Sequence, residues 1–184
     1  MMKLVGNIAL VCVAALLCYG MRETKPRYTE LIRTIPVAGS MGETLATRFF
    51  DMRVDKVEFA RALKTNQQTY TTSGVWAVVT SDLTATEVPK SLYRRVWEGP
   101  TGLRYVETAR IGSDFPTAFA VGLPQNGRLV FEIPLDQARG AKLLVSRDYL
   151  TEFDSEARIA LDAIELTPEG NPAKIADVLD ISQL

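Results

Sequence analysis

The chain has 184 residues, with 21 lysines and arginines against 22 aspartates and glutamates, which gives a formal net charge of −1. It contains no histidine, and its two cysteines, Cys12 and Cys18, lie in one apolar stretch near the N-terminus. This composition excludes Ser-His-Asp and Cys-His catalytic groups, histidine-based zinc or copper sites, and a disulfide in the rest of the chain. The balanced charge gives no basic excess of the kind that binds nucleic acid.

The first predicted element is an apolar stretch from Leu4 to Gly20 that carries no charged residue. At about 1.5 Å per residue it makes a helix of about 26 Å, close to the ~30 Å hydrocarbon core of a membrane. The stretch predicts a signal-anchor or signal peptide over residues 1–21. Cleavage stays open as an alternative because Cys18-Tyr19-Gly20 has the small-x-small pattern of a processing site. Lipid attachment fits poorly because Leu17 precedes Cys18.

Small side chains along this helix offer a surface for close packing against the transmembrane helix of a partner. They are Gly6, Ala9, Cys12, Ala14 and Ala15. We therefore expect a single-pass protein of the inner or cell membrane, with its C-terminal domain on the extracytoplasmic (periplasmic) side. The opposite orientation stays open, because more basic residues follow the stretch than precede it.

The next residues, 22–41, mix charges with prolines and a glycine and predict a linker. From residue 42 to residue 167, short alternating runs separated by Gly, Pro, Asn and Asp predict an all-β domain. Within FFDMRVDKVEF the apolar positions change parity between Val54 and Val57. A strand cannot keep both sets on one face without an extra residue, so we predict a β-bulge at Asp55-Lys56.

The later strands are predicted from the same alternation. GVWAVVTSDLTATE predicts one long strand buried on one face, and SLYRRVW with LRYVET predicts a hairpin around residues 98–102. RLVFEIPL predicts a strand whose Pro134 marks a sheet edge or strand end, and AKLLVSRDY predicts the strand after it. ARIALDAIEL is assigned to a final strand, with a helix as the alternative because Ser155 fits an N-cap. Residues 168–184 are assigned to a C-terminal tail in which Asn171-Pro172 starts a short helix.

Several of these segments together carry a family resemblance. MGETL, FFDMRVDKVEF, GVWAVVTSDLTATEVP, GPTGLRYVE and GLPQNGRLVFEIPL resemble, in this order, a bacterial Ig-like domain of unknown function that is sometimes labelled telomeric repeat-binding factor-like. The resemblance covers residues 42–166 and implies a domain of the type found on lipoproteins and membrane-anchored surface proteins, with no established catalytic residues. The strand pattern independently predicts an all-β fold, an immunoglobulin-like antiparallel β-sandwich without the disulfide, preceded by one N-terminal transmembrane or signal helix.

Candidate recognition residues lie in and around the predicted hairpin. Arg94, Arg95 and Arg104 offer guanidinium groups that suit phosphate and carboxylate, and Trp97 offers an aromatic contact surface. A structural role is the alternative for each of them. Aromatic residues on sandwich strands are mostly core residues, and neighbouring arginines on a strand point to opposite faces. No catalytic residue, metal ligand, cofactor-binding residue or cofactor is predicted.

The sequence predicts a non-catalytic extracytoplasmic binding or assembly module, an accessory subunit of a membrane or envelope complex. The predicted partners are the membrane and a protein of that complex, and nucleic acid is not among them. Strand addition at the edge that carries Pro134 is one predicted mode of recognition. The alternatives are an enzyme that acts on envelope polymers through two close carboxylates, and a carrier of a small apolar ligand.

Overall fold

The computed structural model describes residues 2–24, 34–87, 92, 94–111, 120–147 and 154–182. The chain divides into two compact units, Met1–Arg33 and Thr34–Leu184. The first unit contains helix α1, Met2–Thr24, of 23 residues, so the apolar stretch is helical as predicted. Within the described part of the chain, no helix is both long enough and apolar enough to cross a membrane. Membrane spanning by α1 stays a prediction.

The second unit is built from β-strands. In chain order the described residues form β1 Ile35–Ser40, β2 Leu45–Ala46, β3 Phe50–Lys64, β4 Thr69–Ala85, β5 Arg94–Glu98, β6 Arg104–Val106, β7 Gln125–Ile133, β8 Lys142–Ser146, β9 Ser155–Ala160 and β10 Ala176–Asp180. A short 3-10 helix, Leu135–Gln137, follows β7. The first sheet has the strand order β1-β9-β8-β5-β6, and the second has the order β10-β3-β4-β7, with β2 also paired to β3.

The two sheets pack face to face as a β-sandwich around one apolar core. Alternate residues of β4 point into this core, among them Val75, Ala77 and Val79, which confirms the predicted long strand, although its middle part is buried on both faces. Trp97 from β5 meets them from the first sheet and is fully buried. Because apolar residues recur at every second position of β4 and β7, each of these two strands presents one continuous apolar face to the core.

The long strand β3 is irregular where the sequence predicts it. Val54 pairs with Ser81 and Lys56 pairs with Thr80 of β4, so Asp55 is an extra residue without an opposite partner. The β-bulge predicted at Asp55-Lys56 is therefore confirmed. It shifts the alternation by one position and returns Phe59 to the core face.

Three other predicted elements are confirmed. β5 and β6 form the antiparallel hairpin, β9 is a strand rather than a helix, and β7 is an edge strand that ends directly before Pro134. β8 joins β5 to β9 within the first sheet, as an internal strand.

A smaller apolar cluster lies on the outer face of the second sheet. It is formed by residues on β4 and β7 that alternate with the core positions, together with residues from β3 and from the end of the chain: Ala60, Leu63, Trp76, Val78, Val130 and Ile181. The Arg110 guanidinium lies over the Trp76 ring, 5.5 Å from its centroid. The sheet is thus covered on both faces, which explains why Trp76 has no exposed surface.

Two segments differ from the prediction. Residues 35–40, assigned to the linker, form β1, and residues 176–180, assigned to a tail with a short helix, form β10. Both pair in parallel, β1 with β9 and β10 with β3, so the sandwich is not wholly antiparallel. Long-range pairing decides both cases, because the local propensity of five or six residues is weak beside the hydrogen bonds that a sheet edge offers.

Candidate functional site

The three arginines predicted for recognition are each matched to a carboxylate. Arg94 lies 2.9 Å from Glu156, Arg95 lies 2.9 Å from Glu107, and Arg104 lies 2.9 Å from Glu98. Side-chain exposure is 18% for Arg94 and 21% for Arg95. These pairs neutralise the guanidinium charges within the fold, so the structure does not bring the arginines together as a cationic patch.

Trp97 was predicted as a surface contact, and the structure corrects this. The indole is fully buried, and its Nε1–H donates a hydrogen bond of 2.9 Å to the carbonyl oxygen of Gln137. Its ring meets Phe59 edge-on at 6.2 Å and Phe131 at 6.0 Å between centroids. The side chain of Trp97 points to the face of β5 that packs against the other sheet, where solvent has no access. Trp97 is therefore a core residue.

The small residues proposed for helix–helix packing all lie within α1. Cys12, Ala14 and Ala15 are exposed there, and both cysteines are free. Gly6 and Ala9 belong to the same helix. Contact of these residues with a partner helix stays a prediction.

An open stretch interrupts the outer edge of β3. On the side of β3 away from β4, β2 pairs with Asp51 and Met52, and β10 pairs from Ala60 onward. Between them, no strand among the described residues pairs with the part of β3 from Asp55 to Phe59. At about 3.3 Å per residue this stretch is roughly 16 Å long, enough for three to five residues of an added strand.

The hydrogen-bond pattern shows which backbone groups face this open side. Gly42 N–H donates to Val54 C=O at 2.8 Å, so the carbonyl of Val54 points away from β4. Lys56 and Glu58 are opposite Thr80 and Val78 of β4. In an antiparallel strand the backbone N–H and C=O groups of successive residues point alternately toward one neighbouring strand and away from it. The extra residue of the bulge shifts this alternation by one position, so the N–H and C=O of Val57 point away from β4.

Val57 and Phe59 also line two adjoining cavities, which together we call the edge groove. Their volumes are about 230 Å³ and about 570 Å³, and they share Val57, Phe59 and Lys174. The remaining lining residues are mostly apolar: Met41, Glu58, Ala163, Ile164, Glu165, Ala173, Ile175, Ala176 and Leu179. The edge groove therefore combines unpaired backbone groups with an apolar floor.

The wall of the edge groove opposite β3 is a hairpin-like segment, residues 164–175. Ala173 N–H donates to Glu165 C=O at 2.8 Å, and Thr167 N–H donates to the carbonyl of Asn171 at 2.8 Å. Gly170 makes the turn with a φ of 92°, a value that glycine adopts without strain. Arg139 donates to the carbonyl of Pro168 at 3.0 Å and fastens the turn to the sandwich. This wall is held in place rather than free.

The β1 edge is partly blocked by identifiable groups. On β1 the N–H groups of Ile35 and Met41 face β9, so Pro36, Ala38 and Ser40 face outward. Pro36 has no N–H, and the Ser40 N–H donates to the Glu43 carboxylate at 3.1 Å. Proline and charged side chains at such positions prevent pairing with another chain.

The β7 edge, where strand addition was predicted next to Pro134, is also occupied. Thr108 N–H donates to Val130 C=O at 2.9 Å, and Arg110 pairs with Glu132 at 3.1 Å. Thr108 and Arg110 thus both contact β7, and the Val130 carbonyl already accepts a hydrogen bond. Strand addition beside Pro134 stays a prediction, and these contacts leave less of the β7 edge free for it.

Three carboxyl groups among the described residues have pKa values below the ordinary range. Among the described residues the pKa of Asp162 is lowered by the Ser40 hydroxyl, that of Glu169 by the Thr167 hydroxyl, and that of Asp180 by Ser182. A general acid in glycoside hydrolysis needs a raised pKa. Within the same described part of the chain, no group of three or more metal-ligating side chains is gathered.

Asp180, at the end of β10, makes the attachment of this strand depend on pH. Hydrogen bonds from Ser182 and Lys64 lower the pKa of its carboxyl from the ordinary 3.8 to about 2. A lowered pKa contributes stability above pH 3.8, and that contribution is lost as the pH falls toward 2. We expect the β10 amides to lose protection from hydrogen exchange across this window, measured by NMR. Asp180→Asn should remove the pH dependence, and a carboxyl that titrates at 3.8 in the folded protein would contradict it.

Comparison with known proteins bears on the fold alone. No family model matches the chain, and no curated protein matches it. The yjhA protein from Bacillus subtilis is similar at 13% sequence identity and a TM-score of 0.50, over 67% of this chain and 99% of that chain. An uncharacterized β-sandwich protein from Clostridium difficile is 14% identical, with a TM-score of 0.43, over 73% of this chain and 99% of that one.

Proposed function

We propose that the protein is a non-catalytic binding module that takes up an extended segment of a partner protein as an added strand of the second sheet. The edge groove is the binding site, and α1 associates the module with a membrane, as an accessory subunit of an envelope complex. In this proposal the sandwich is immunoglobulin-like and extracytoplasmic. The observation that carries the proposal is that, among the described residues, no strand pairs with the outer side of β3 at Val57, beside a largely apolar groove.

An extended peptide fits this site better than a compact ligand. Unpaired backbone N–H and C=O groups in apolar surroundings are stabilised most by a partner whose own backbone N–H and C=O groups are spaced to form hydrogen bonds with them. A strand does so, while its alternate side chains reach the cavities beside Val57 and Phe59. The larger of the two cavities of the edge groove, about 570 Å³, accommodates two or three such side chains.

The rim of the edge groove indicates the character of the segment. Lys56 pairs with Glu58 at 3.0 Å, and Lys174 pairs with Glu165 at 2.7 Å, all with exposed side chains. The charges at the rim are therefore matched in pairs and leave no net charge for a partner to satisfy. We infer that the residues entering the groove are apolar and uncharged.

The membrane part of the proposal is supported by α1. Its 23 residues correspond to about 35 Å of helix. Large apolar side chains such as Leu10, Leu16 and Leu17 are more than 60% exposed. Exposed apolar surface of this extent favours a lipid environment or a partner helix. The intact mass of the protein extracted from membranes tests this, because loss of the first twenty residues would show a cleaved signal instead of an anchor.

The replacement Val57→Pro tests the groove directly. The outward N–H of Val57 makes no bond to β4, so proline removes it without breaking the ladder. A peptide library would be selected on the purified full-length protein, and the affinity of selected peptides measured by fluorescence anisotropy. We expect Val57→Pro to weaken binding at least about tenfold, through one lost hydrogen bond and the bulk of the ring.

Ala38→Pro is the matched control, because it also removes an outward N–H from an edge strand, away from the groove. It should bind the peptides like the parent protein, and circular dichroism should show both variants folded. In the parent protein, bound peptide should slow hydrogen exchange at the amides of Val57 and Phe59. Equal loss of affinity in both variants, or protection elsewhere in the sandwich, would refute strand addition at this site.

A further inference from the structure

The β3 edge beside the edge groove is already occupied by a strand of the same chain. β10 pairs with β3 in parallel over Ala60–Lys64. The ladder between β3 and β4 has a second irregularity there, between Ala60 and Ala62. Parallel pairing is slightly less stable per residue than antiparallel pairing, and four of the five β10 residues are exposed. β10 is therefore a weakly held occupant of the edge.

The contacts that hold β10 are concentrated at its C-terminal end. Ile181 N–H donates to Lys64 C=O at 2.9 Å, and the Asn66 side chain donates to the carbonyl of Ser182 at 3.1 Å. Lys64 also pairs with Asp180 at 3.2 Å. The opposite end, at Ala176, lines the edge groove. Ala176 is thus the end of β10 that a segment in the groove would meet first.

From this arrangement we propose strand exchange: a partner segment pairs first at Val57, then replaces β10 along β3, beginning at Ala176. This inference rests on the function proposed above and adds its regulation, since β10 then competes with the partner. The partner segment first pairs with the short open stretch of β3. Displacement of β10 then exposes the rest of the β3 edge for pairing. The apparent affinity for the partner equals the intrinsic affinity multiplied by the fraction of time that β10 is away from β3.

The sequence of β10 describes the chemistry that the exchanging segment needs. Leu179 packs against the outer apolar cluster of the second sheet, and Ile181 is buried in it. Asp180, between them, faces Lys64. The partner segment should therefore carry an apolar–acidic–apolar sequence at this end.

A labelled synthetic peptide with residues 173–182, AKIADVLDIS, is a suitable probe. Its binding to the full-length protein would be compared with binding to Asp180→Ala, which weakens the anchored end of β10 without touching the core. We expect the variant to bind the peptide about three- to tenfold more tightly, because its own strand competes less. A peptide with asparagine at the positions of Leu179 and Ile181 serves as the control and should not bind.

NMR of the isotope-labelled protein with unlabelled peptide separates the outcomes. Strand exchange predicts that the amide signals of Val178 and Leu179 in the protein move to unfolded positions as the peptide binds. Binding with equal affinity to both proteins, with these signals unmoved, would overturn strand exchange while leaving capture in the groove intact. Absence of binding to either protein would also overturn it. Groove capture itself is decided separately, by the comparison of Val57→Pro with Ala38→Pro.

Discussion

Replacing Trp97 with alanine is expected to lower the free energy of unfolding by about 3–5 kcal/mol. The side chain is fully buried between the sheets and contacts the rings of Phe59 and Phe131. Its removal leaves a cavity that neighbouring strands cannot close without moving, and it deprives the Gln137 carbonyl of its indole donor. Urea denaturation followed by circular dichroism measures the change.

Two further variants separate the causes of this effect. Trp97→Phe keeps most of the ring contacts and loses the hydrogen bond, so we expect a loss of about 1–3 kcal/mol. Leu103→Ala, at a position that is 56% exposed, should change stability by less than about 0.5 kcal/mol. A loss below about 1 kcal/mol for Trp97→Ala would show that the two sheets do not depend on this contact. Because Phe59 lines the edge groove, we also expect Trp97→Ala to weaken peptide binding.

Replacing Glu156 with alanine is expected to lower the free energy of unfolding by about 2–4 kcal/mol. This carboxylate is 1% exposed on β9, between two arginines. Its Oε1 accepts a hydrogen bond of 2.8 Å from Arg158, and its Oε2 lies 2.9 Å from Arg94 without the alignment of a hydrogen bond. Removal of the carboxylate leaves the largely buried Arg94 charge without compensation.

The matched variant for this pair is Arg158→Ala. The Arg158 side chain is 41% exposed but donates to the buried Glu156 Oε1, so its loss should cost about 1–2 kcal/mol, less than removal of the carboxylate. The double variant Arg94→Met with Glu156→Leu removes both buried charges and should recover most of the stability lost in Glu156→Ala. If the double variant is as unstable as Glu156→Ala alone, the loss comes from packing and not from an unpaired charge.

Much of the sandwich could be predicted because its strands follow local rules. The alternation in β4 and β7 and the hairpin between β5 and β6 are read directly from residue types. The bulge at Asp55 was also predictable, since apolar residues on both sides of it have to face one core. β1 and β10 were not, because each is defined by pairing with a strand more than a hundred residues away along the chain.

The candidate site was less accessible to prediction, for a related reason. The parity change before Val57 was visible in the sequence, but the absence of a pairing strand beside it depends on where β2 and β10 end. The arginines drew attention by their charge, and the acidic partners of Arg94 and Arg95 lie on other parts of the chain. Trp97 was misassigned because side-chain direction on a five-residue strand follows from its neighbours in the sheet.

The parallel pairing of β1 and β10 bears on how the sandwich resists mechanical load. These are its first and last strands in chain order, and they belong to different sheets. Where tension between the segment before β1 and the segment after β10 runs along these strands, it loads the hydrogen bonds to β9 and β3 in shear. Force entering one sheet also passes through the shared core to reach the other.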